Sequence, residues 1–250
     1  MPHDNHVTLI TVTYNSAEQI SEFWKAPPST NIEWIVVDNA SQDDSAAVAK
    51  SLGAKVLRLE TNVGFGAACN IGLRNASHPI IGFINPDVTV IYEDLPLLAR
   101  TVTASGALVA PQLLNSNGTP QPNGRGCPSL PNKIANRLAP ARASERGFRL
   151  IAAPNETIEA TWITGAAIFG ERKKLLELGG FDETFFVYYE DIDLCLRARS
   201  HGTSSLVVGE SRWVHGWARA ASGFNVSGWR LEFSSAFKFY RKYPRLAFAK

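Results

Sequence analysis

Three carboxylates, Glu190, Asp191 and Asp193, stand close together directly behind an aromatic run, FDETFFVYYED. A carboxylate cluster at a helix start has two uses. By default it caps free N–H groups and meets the helix dipole favourably. Alternatively, one member takes a proton from a hydroxyl nucleophile. The two Phe and two Tyr just ahead of the cluster shift the weight toward the second use, because they can wall a pocket that holds a polar ring.

A second carboxylate stands at the end of PIIGFINPDVTV. Ile80, Ile81, Phe83 and Ile84 form a short apolar run that predicts a strand buried on both faces. Pro86 cannot donate to a sheet ladder, so the strand must end there. Asp87 then lies just past its carboxyl end, the edge where open α/β sheets bind ligands. A carboxylate there suits a divalent metal holding a diphosphate; the alternative is an ordinary turn aspartate. Asp38 closes a second β run, where it can accept hydrogen bonds from a base or ribose, and Tyr14 closes the first, where it can pack on a base. His215, between Trp213 and Trp217 with Arg219 close behind, is a structural histidine or a second metal ligand. There is no G-x-x-x-x-G-K-[ST] loop and no G-x-G-x-x-G after the first strand, which removes the P-loop class and argues against nicotinamide and flavin enzymes.

These residues need a frame. Strands are predicted at Val7–Thr13, Glu33–Val37, Lys55–Leu59, from Ile80, and at Ala107–Pro111. Helices are predicted between them at Ala17–Lys25, Asp43–Leu52, Ala67–Asn75 and Glu93–Ser105. Alternation at this spacing implies an α/β fold with a Rossmann-like, mostly parallel central sheet and helices on both faces. From Gln112 to about Asn155 the chain turns irregular and rich in Asn, Gly, Pro and Arg. A long stretch of that kind inside a compact domain is functional or disordered. Arg125, Arg137, Arg142, Arg146 and Arg149 could meet an anionic partner there or face water. Beyond it, Ala160–Gly170 reads as one strand with a close glycine approach at Gly165, Glu171–Leu178 as a helix stopped by Gly179-Gly180, Ser205–Val208 as a strand and Val226–Arg241 as a last helix.

The 250 residues suffice for a sizeable core, and 45% hydrophobic with 19% charged residues is ordinary globular composition. A net charge of +2 argues against a dedicated nucleic-acid partner. Cys69, Cys127 and Cys195 are odd in number and widely spaced, which suits a reducing compartment and gives no zinc signature. MPHDNH lacks a signal-peptide pattern and no run reaches membrane-spanning length, so a cytoplasmic location is expected.

Taken together, TVTYNSAEQI, VVDNASQDDS, NVGFGAACNIGL, GFINPDV, WITGAAIFGERKKLLELGGFDETFFVYYEDIDLCLRARSHG and VHGWARAASG resemble the family 2 glycosyltransferases, above all the bacterial rhamnosyltransferase branch. The resemblance runs over nearly the whole chain. It implies a GT-A fold and transfer, with inversion, from a nucleotide-diphosphate sugar, with dTDP-L-rhamnose foremost and galactofuranose, mannose or glucose as alternatives. By position, Thr13 and Tyr14 would cradle the base and Asp38 would read base or ribose. Asn85-Pro86-Asp87 would stand at the D-x-D metal motif, with Asp87 the retained ligand to Mg or Mn and His215 completing the site. Asp191 would be the general base and Glu190 its acidic neighbour. Asn70, Asn85 and Asp87 would also bind the donor, with two departures from the family: Asn85 replaces the first aspartate of D-x-D, and Cys69 precedes Asn70 where many relatives carry a basic residue near the phosphates. A non-catalytic binder on the same fold is the alternative from another class.

One domain is expected, with a nucleotide-sugar half over residues 1–111, an acceptor half over 112–225 and a C-terminal helix over 226–250. That last segment carries Arg230, Lys238, Arg241, Lys242, Arg245 and Lys250 against the single acid Glu232, interleaved with aromatics. It suits peripheral contact with an anionic membrane, or packs against the domain. Membrane contact would fit the polyprenyl-diphosphate-linked saccharide acceptors that the family often uses.

Overall fold

The computed structural model describes residues 6–24, 31–145, 147–216 and 226–248, apart from the side chains of residues 142 and 226–228. Lys25, Arg146, Trp217, Arg219 and Lys250, named above, lie outside it, as does the side chain of Arg142. The chain runs β1 (Val7–Thr13), α1 (Ala17–Phe23), β2 (Ile32–Asp38), α2 (Ser45–Ser51), β3 (Lys55–Arg58), α3 (Phe65–Asn75), β4 (Ile80–Ile84), a 3-10 turn at Tyr92–Asp94, α4 (Leu95–Ser105) and β5 (Leu108–Leu114). It continues with β6 (Gly124–Arg125), α5 (Leu130–Leu138), α6 (Pro140–Glu145), β7 (Arg149–Leu150), β8 (Thr157–Ala160), β9 (Trp162–Ile163), β10 (Ala167–Glu171), α7 (Arg172–Glu177), α8 (Glu190–Ser200), β11 (Ser205–Val214), α9 (Val226–Lys242) and α10 (Pro244–Phe248).

Eight strands form the main sheet in the order β3-β2-β1-β4-β10-β5-β11-β8. The first four are parallel, as βαβ alternation requires. β10 then enters antiparallel between β4 and β5, while β11 runs parallel to β5, so the sheet is mostly parallel, as expected. Every residue of β1 and β4 is buried, because separate hydrophobic clusters pack on the two faces of the sheet.

The expected single strand Ala160–Gly170 is instead divided between sheets. β9 joins the small sheet β7-β6-β9, and β10 joins the main one. The break lies at Thr164–Ala166, where the Gly165 amide donates to the Asp191 carboxylate at 2.9 Å and so leaves the ladder. The segment after Gln112 is more regular than its composition suggested, since two short helices and two short strands lie within it. Ser129 caps α5 by accepting from the Asn132 amide.

The expected C-terminal helix is divided into α9 and α10, and the two divide their aromatics. Phe239 is fully buried, and its ring packs on Tyr189, Tyr240 and Tyr243. Phe233, Phe237 and Phe248 are exposed. Among the described residues no helix is long and apolar enough to cross a membrane.

Candidate active site

A cavity of about 340 Å³ opens at the carboxyl edge of the central strands, with Asn85, Gln121, Arg125, Gly165, Tyr188, Glu190, Asp191 and His215 on its wall. The main chain delivers the carboxylates to it. Tyr188 and Tyr189 both take positive φ, 67° and 71°, a conformation that non-glycine residues adopt at a cost and that gathers at functional sites. This double kink aims the first turn of α8 at the cavity. Asp191 Oδ2 accepts from the Gly165 amide and Oδ1 from the Ile192 amide at 2.8 Å. A Cβ on residue 165 would stand 3.3 Å from the Asp191 Cβ, so glycine allows this close approach.

The cluster of three acids divides its labour. Asp193 is buried and structural: Arg197 Nε donates to one oxygen at 2.7 Å, and Tyr243 and Lys242 approach the other at 2.8 and 2.6 Å. Glu190 is buried too, but its Oε2 has no hydrogen-bond partner. Burial, then repulsion from Asp191, pushes Glu190 up to about 8. Burial also raises Asp191, against the pull of the Gly165 amide and the positive charge of Lys133. No side chain caps the helix. Two of these carboxylates are therefore held at some electrostatic cost on the wall of a cavity.

Asp87 and His215 come together across the loop that follows β4. An isolated bridge joins Val88 to His215, and the Gly216 amide donates to the Asp87 carbonyl at 2.8 Å. This brings His215 Nε2 to 3.5 Å from Asp87 Oδ1. Gln121 sets the imidazole: its Nε2 donates to the His215 carbonyl at 2.9 Å, and its Oε1 lies 2.9 Å from His215 Nδ1. With Oε1 turned to Nδ1, the proton belongs on Nδ1 and the lone pair on Nε2, facing Asp87. A carboxylate oxygen and an imidazole lone pair side by side fit a divalent cation. Among the described residues no third His, Cys, Asp or Glu joins them, so the other ligands would have to come from phosphate, amide or water oxygens.

The remaining predicted residues are less alike. Thr13 and Asp38 end neighbouring parallel strands in register, and Thr13 Oγ1 donates to Asp38 Oδ1 at 3.3 Å. Asp38 is buried beneath Arg58, whose Nε lies 3.4 Å from Oδ2 and whose side chain is largely exposed. A ligand reaching Asp38 would have to move that arginine. Tyr14 is half exposed at the same edge. Asn85 lines the cavity, its amide donating to the Ala166 carbonyl at 2.9 Å. Asn70 does not line the cavity. It is buried, with Oδ1 accepting from the Phe181 amide and Nδ2 donating to the Phe181 carbonyl and to Glu183. It clasps the turn that leads into the aromatic run, and Gly180 at φ 67° passes so close that a Cβ would overlap its amide.

Sequence reasoning missed Gln121, Lys133 and Asn39. Asn39 ties its own loop to the one between β3 and α3, accepting from the Val63 amide and donating to Asn62 and to the Gly64 carbonyl. Gln121 and Lys133 lie in the segment that composition marked as irregular, where no periodicity singles out a side chain.

Comparison with known proteins agrees with this geometry. The model of the family described as glycosyl transferase family 2 matches residues 8–167. The N-acetylglucosaminyl-diphospho-decaprenol L-rhamnosyltransferase of Mycobacterium tuberculosis (strain ATCC 25618 / H37Rv) is 24% identical over 230 residues, covering 83% of this chain and 75% of that protein. Rhamnosyltransferase WbbL of Escherichia coli (strain K12) is 24% identical over 190 residues, covering 70% of this chain and 69% of that one. Among solved structures, the mannosyltransferase PcManGT from Pyrobaculum calidifontis, in complex with GDP-Man and Mn2+, matches with a TM-score of 0.60 at 19% identity. That match covers 90% of this chain but only 59% of the mannosyltransferase. A mostly parallel α/β sheet, a buried carboxylate pair at its carboxyl edge and these matches lead to one conclusion: the chain belongs to glycosyl transferase family 2, on a GT-A fold.

Proposed function

We propose that the chain is an inverting glycosyltransferase that moves L-rhamnose from dTDP-L-rhamnose to a saccharide acceptor, linked to a polyprenyl diphosphate, in the building of a bacterial surface polysaccharide. The observation that carries the transferase reading is the Asp191 carboxylate, oriented by two amides on the wall of the cavity to which His215 and Asn85 also belong. The sugar is supported by the names of the mycobacterial and E. coli relatives.

In this reading Asp191 takes the proton of the acceptor hydroxyl as its oxygen bonds to the anomeric carbon. The bond from that carbon to the diphosphate breaks, and the nucleoside diphosphate leaves with the electron pair from the opposite face. Glu190 stays beside Asp191 and, protonated near neutral pH, spares it a second negative neighbour. Thr13, Tyr14 and Asp38 hold the base and ribose, and Asn85 and Asp87 the diphosphate. Asp87 and His215 hold Mg or Mn, which when bound neutralises the charge that grows on the leaving group. Residues 1–111 make the donor half, 112–225 the acceptor half. Phe233, Phe237 and Phe248 stand exposed among the basic residues of the C-terminal segment, which supports peripheral contact with the inner face of the cytoplasmic membrane.

A thermal-shift panel of nucleotide sugars, with manganese, magnesium or chelator, tests the donor without knowledge of the acceptor. Metal-dependent stabilisation by dTDP-rhamnose alone is the expected result. The same response to GDP-mannose would replace the sugar and keep the enzyme class, a second reading that the PcManGT match favours. No response to any nucleotide would sink both.

A further inference from the structure

Beside the carboxylates, the acceptor half gathers positive charge around a single indole. Arg125 and Arg149 are direct partners across β6 and β7, and like charges so placed repel. The Arg125 guanidinium lies 5.8 Å from the Phe148 ring and 6.0 Å from that of Trp162. The Lys133 ammonium lies 5.4 Å from the Trp162 ring and 4.6 Å from that of Tyr189. Among the described residues, none of the three cations is within 4.0 Å of a carboxylate oxygen. The hydrogen bond that Arg125 does make, to Asn136, is long at 3.4 Å.

Two more donors lack acceptors: Arg125 Nε and Trp162 Nε1 are both buried with no hydrogen-bond partner. A buried donor without an acceptor costs stability, and proteins keep few of them. Burial and the charge of Arg149 lower Arg125 to about 10, and burial lowers Lys133 as well. The cluster is therefore short of negative oxygen. Arg125 also forms part of the wall of the cavity that holds Glu190 and Asp191. An aromatic-backed guanidinium presents its fork to oxyanions, and a single carboxylate would leave most of this charge unmatched.

We propose that Arg125 and Lys133 form a second anion subsite, on the acceptor side of the cavity, that takes a phosphate or diphosphate group carried by the acceptor. The proposal rests on the transferase reading above and deepens it. It makes the acceptor an anchored phosphate ester rather than a neutral glycan, with the sugar hydroxyl brought to Asp191 while the phosphate is held on β6 and α5.

The test is a calorimetric titration with inorganic pyrophosphate, magnesium in excess, before and after saturation with a nucleoside diphosphate. The loaded protein keeps one pyrophosphate event. In Arg125→Met and in Lys133→Met that event weakens about tenfold or more, as loss of one charge-assisted contact implies, while Lys133→Arg retains it. Melting temperatures of all variants verify folding. Displacement of pyrophosphate by the nucleotide overturns the proposal, because the site is then the donor's. Binding that neither methionine variant weakens, or no binding at all, overturns it too. Failure of the nucleoside diphosphate to bind instead strikes the transferase reading, and the response of the methionine variants still decides whether the anion subsite exists.

Discussion

Gln121 holds His215 at both ends of the residue, donating to its carbonyl and facing its Nδ1 from 2.9 Å. The amide thus fixes which ring nitrogen faces Asp87. Partners of this kind typically tune metal affinity by about 10- to 100-fold. Gln121→Ala is therefore expected to raise the Mn2+ concentration needed for donor binding by about tenfold or more, with little change in binding measured under chelator. Metal dependence unchanged in the variant would detach Gln121 from any metal site.

The carboxylate pair predicts a pH profile. Asp191 must be ionised to accept a proton, and burial raises it above the ordinary carboxylate range. The rate should accordingly climb with pH along an acid limb above about 4, the ordinary value for aspartate. Glu190, pushed up to about 8 by burial and then by the charge of Asp191, stays protonated while Asp191 ionises. Glu190→Gln keeps a neutral neighbour beside Asp191, so the limb stays in place. Asp191→Asn loses about 10²- to 10⁴-fold in kcat while the donor still binds. A limb that moves to lower pH in Glu190→Gln would mean that Glu190 already carries charge while Asp191 titrates.

Asn70 separates positioning from donor binding. Its side chain makes three hydrogen bonds to the turn at Phe181–Glu183. Asn70→Ala leaves the buried amide and carbonyl of Phe181 short of partners, at about 1–3 kcal/mol each. Denaturation should show a loss of a few kcal/mol, with the dissociation constant of the donor unchanged for the folded fraction. Weaker donor binding at full stability would restore the role that sequence position suggested.

The exposed aromatics of α9 and α10 predict vesicle binding. Replacing Phe233, Phe237 and Phe248 together by serine removes exposed rings without touching the buried Phe239. Co-sedimentation with anionic vesicles should fall and thermal stability should hold. Equal sedimentation of variant and parent would leave these rings for another partner.

Much of the frame was legible because it rests on local signals. The β-branched run of β1 and the proline after β4 state their own strand and its end. Asp87, Asp191 and His215 could be named because each sits at the end of an element or in a motif. The antiparallel entry of β10 was not legible, since residues 167–171 are as apolar as any parallel strand and orientation depends on the path of the chain. Gly165 was read as a close approach, but the oxygen it approaches, on Asp191, lies 26 residues away. Lys133 and Gln121 draw their meaning from neighbours brought by folding, and nothing in their own surroundings marks them.

The inner face of α9 has one more implication. Lys242 and Tyr243 fasten the end of that helix to Asp193, two residues beyond Asp191 on the same turn of α8. The outer face of the helix is thus tied to the same turn of α8 that carries the carboxylate at the cavity. Whatever seats itself on that outer face is set at a fixed height from Asp191. Under the proposed transfer to a membrane-anchored acceptor, the helix would act as a ruler, selecting by reach as well as by chemistry.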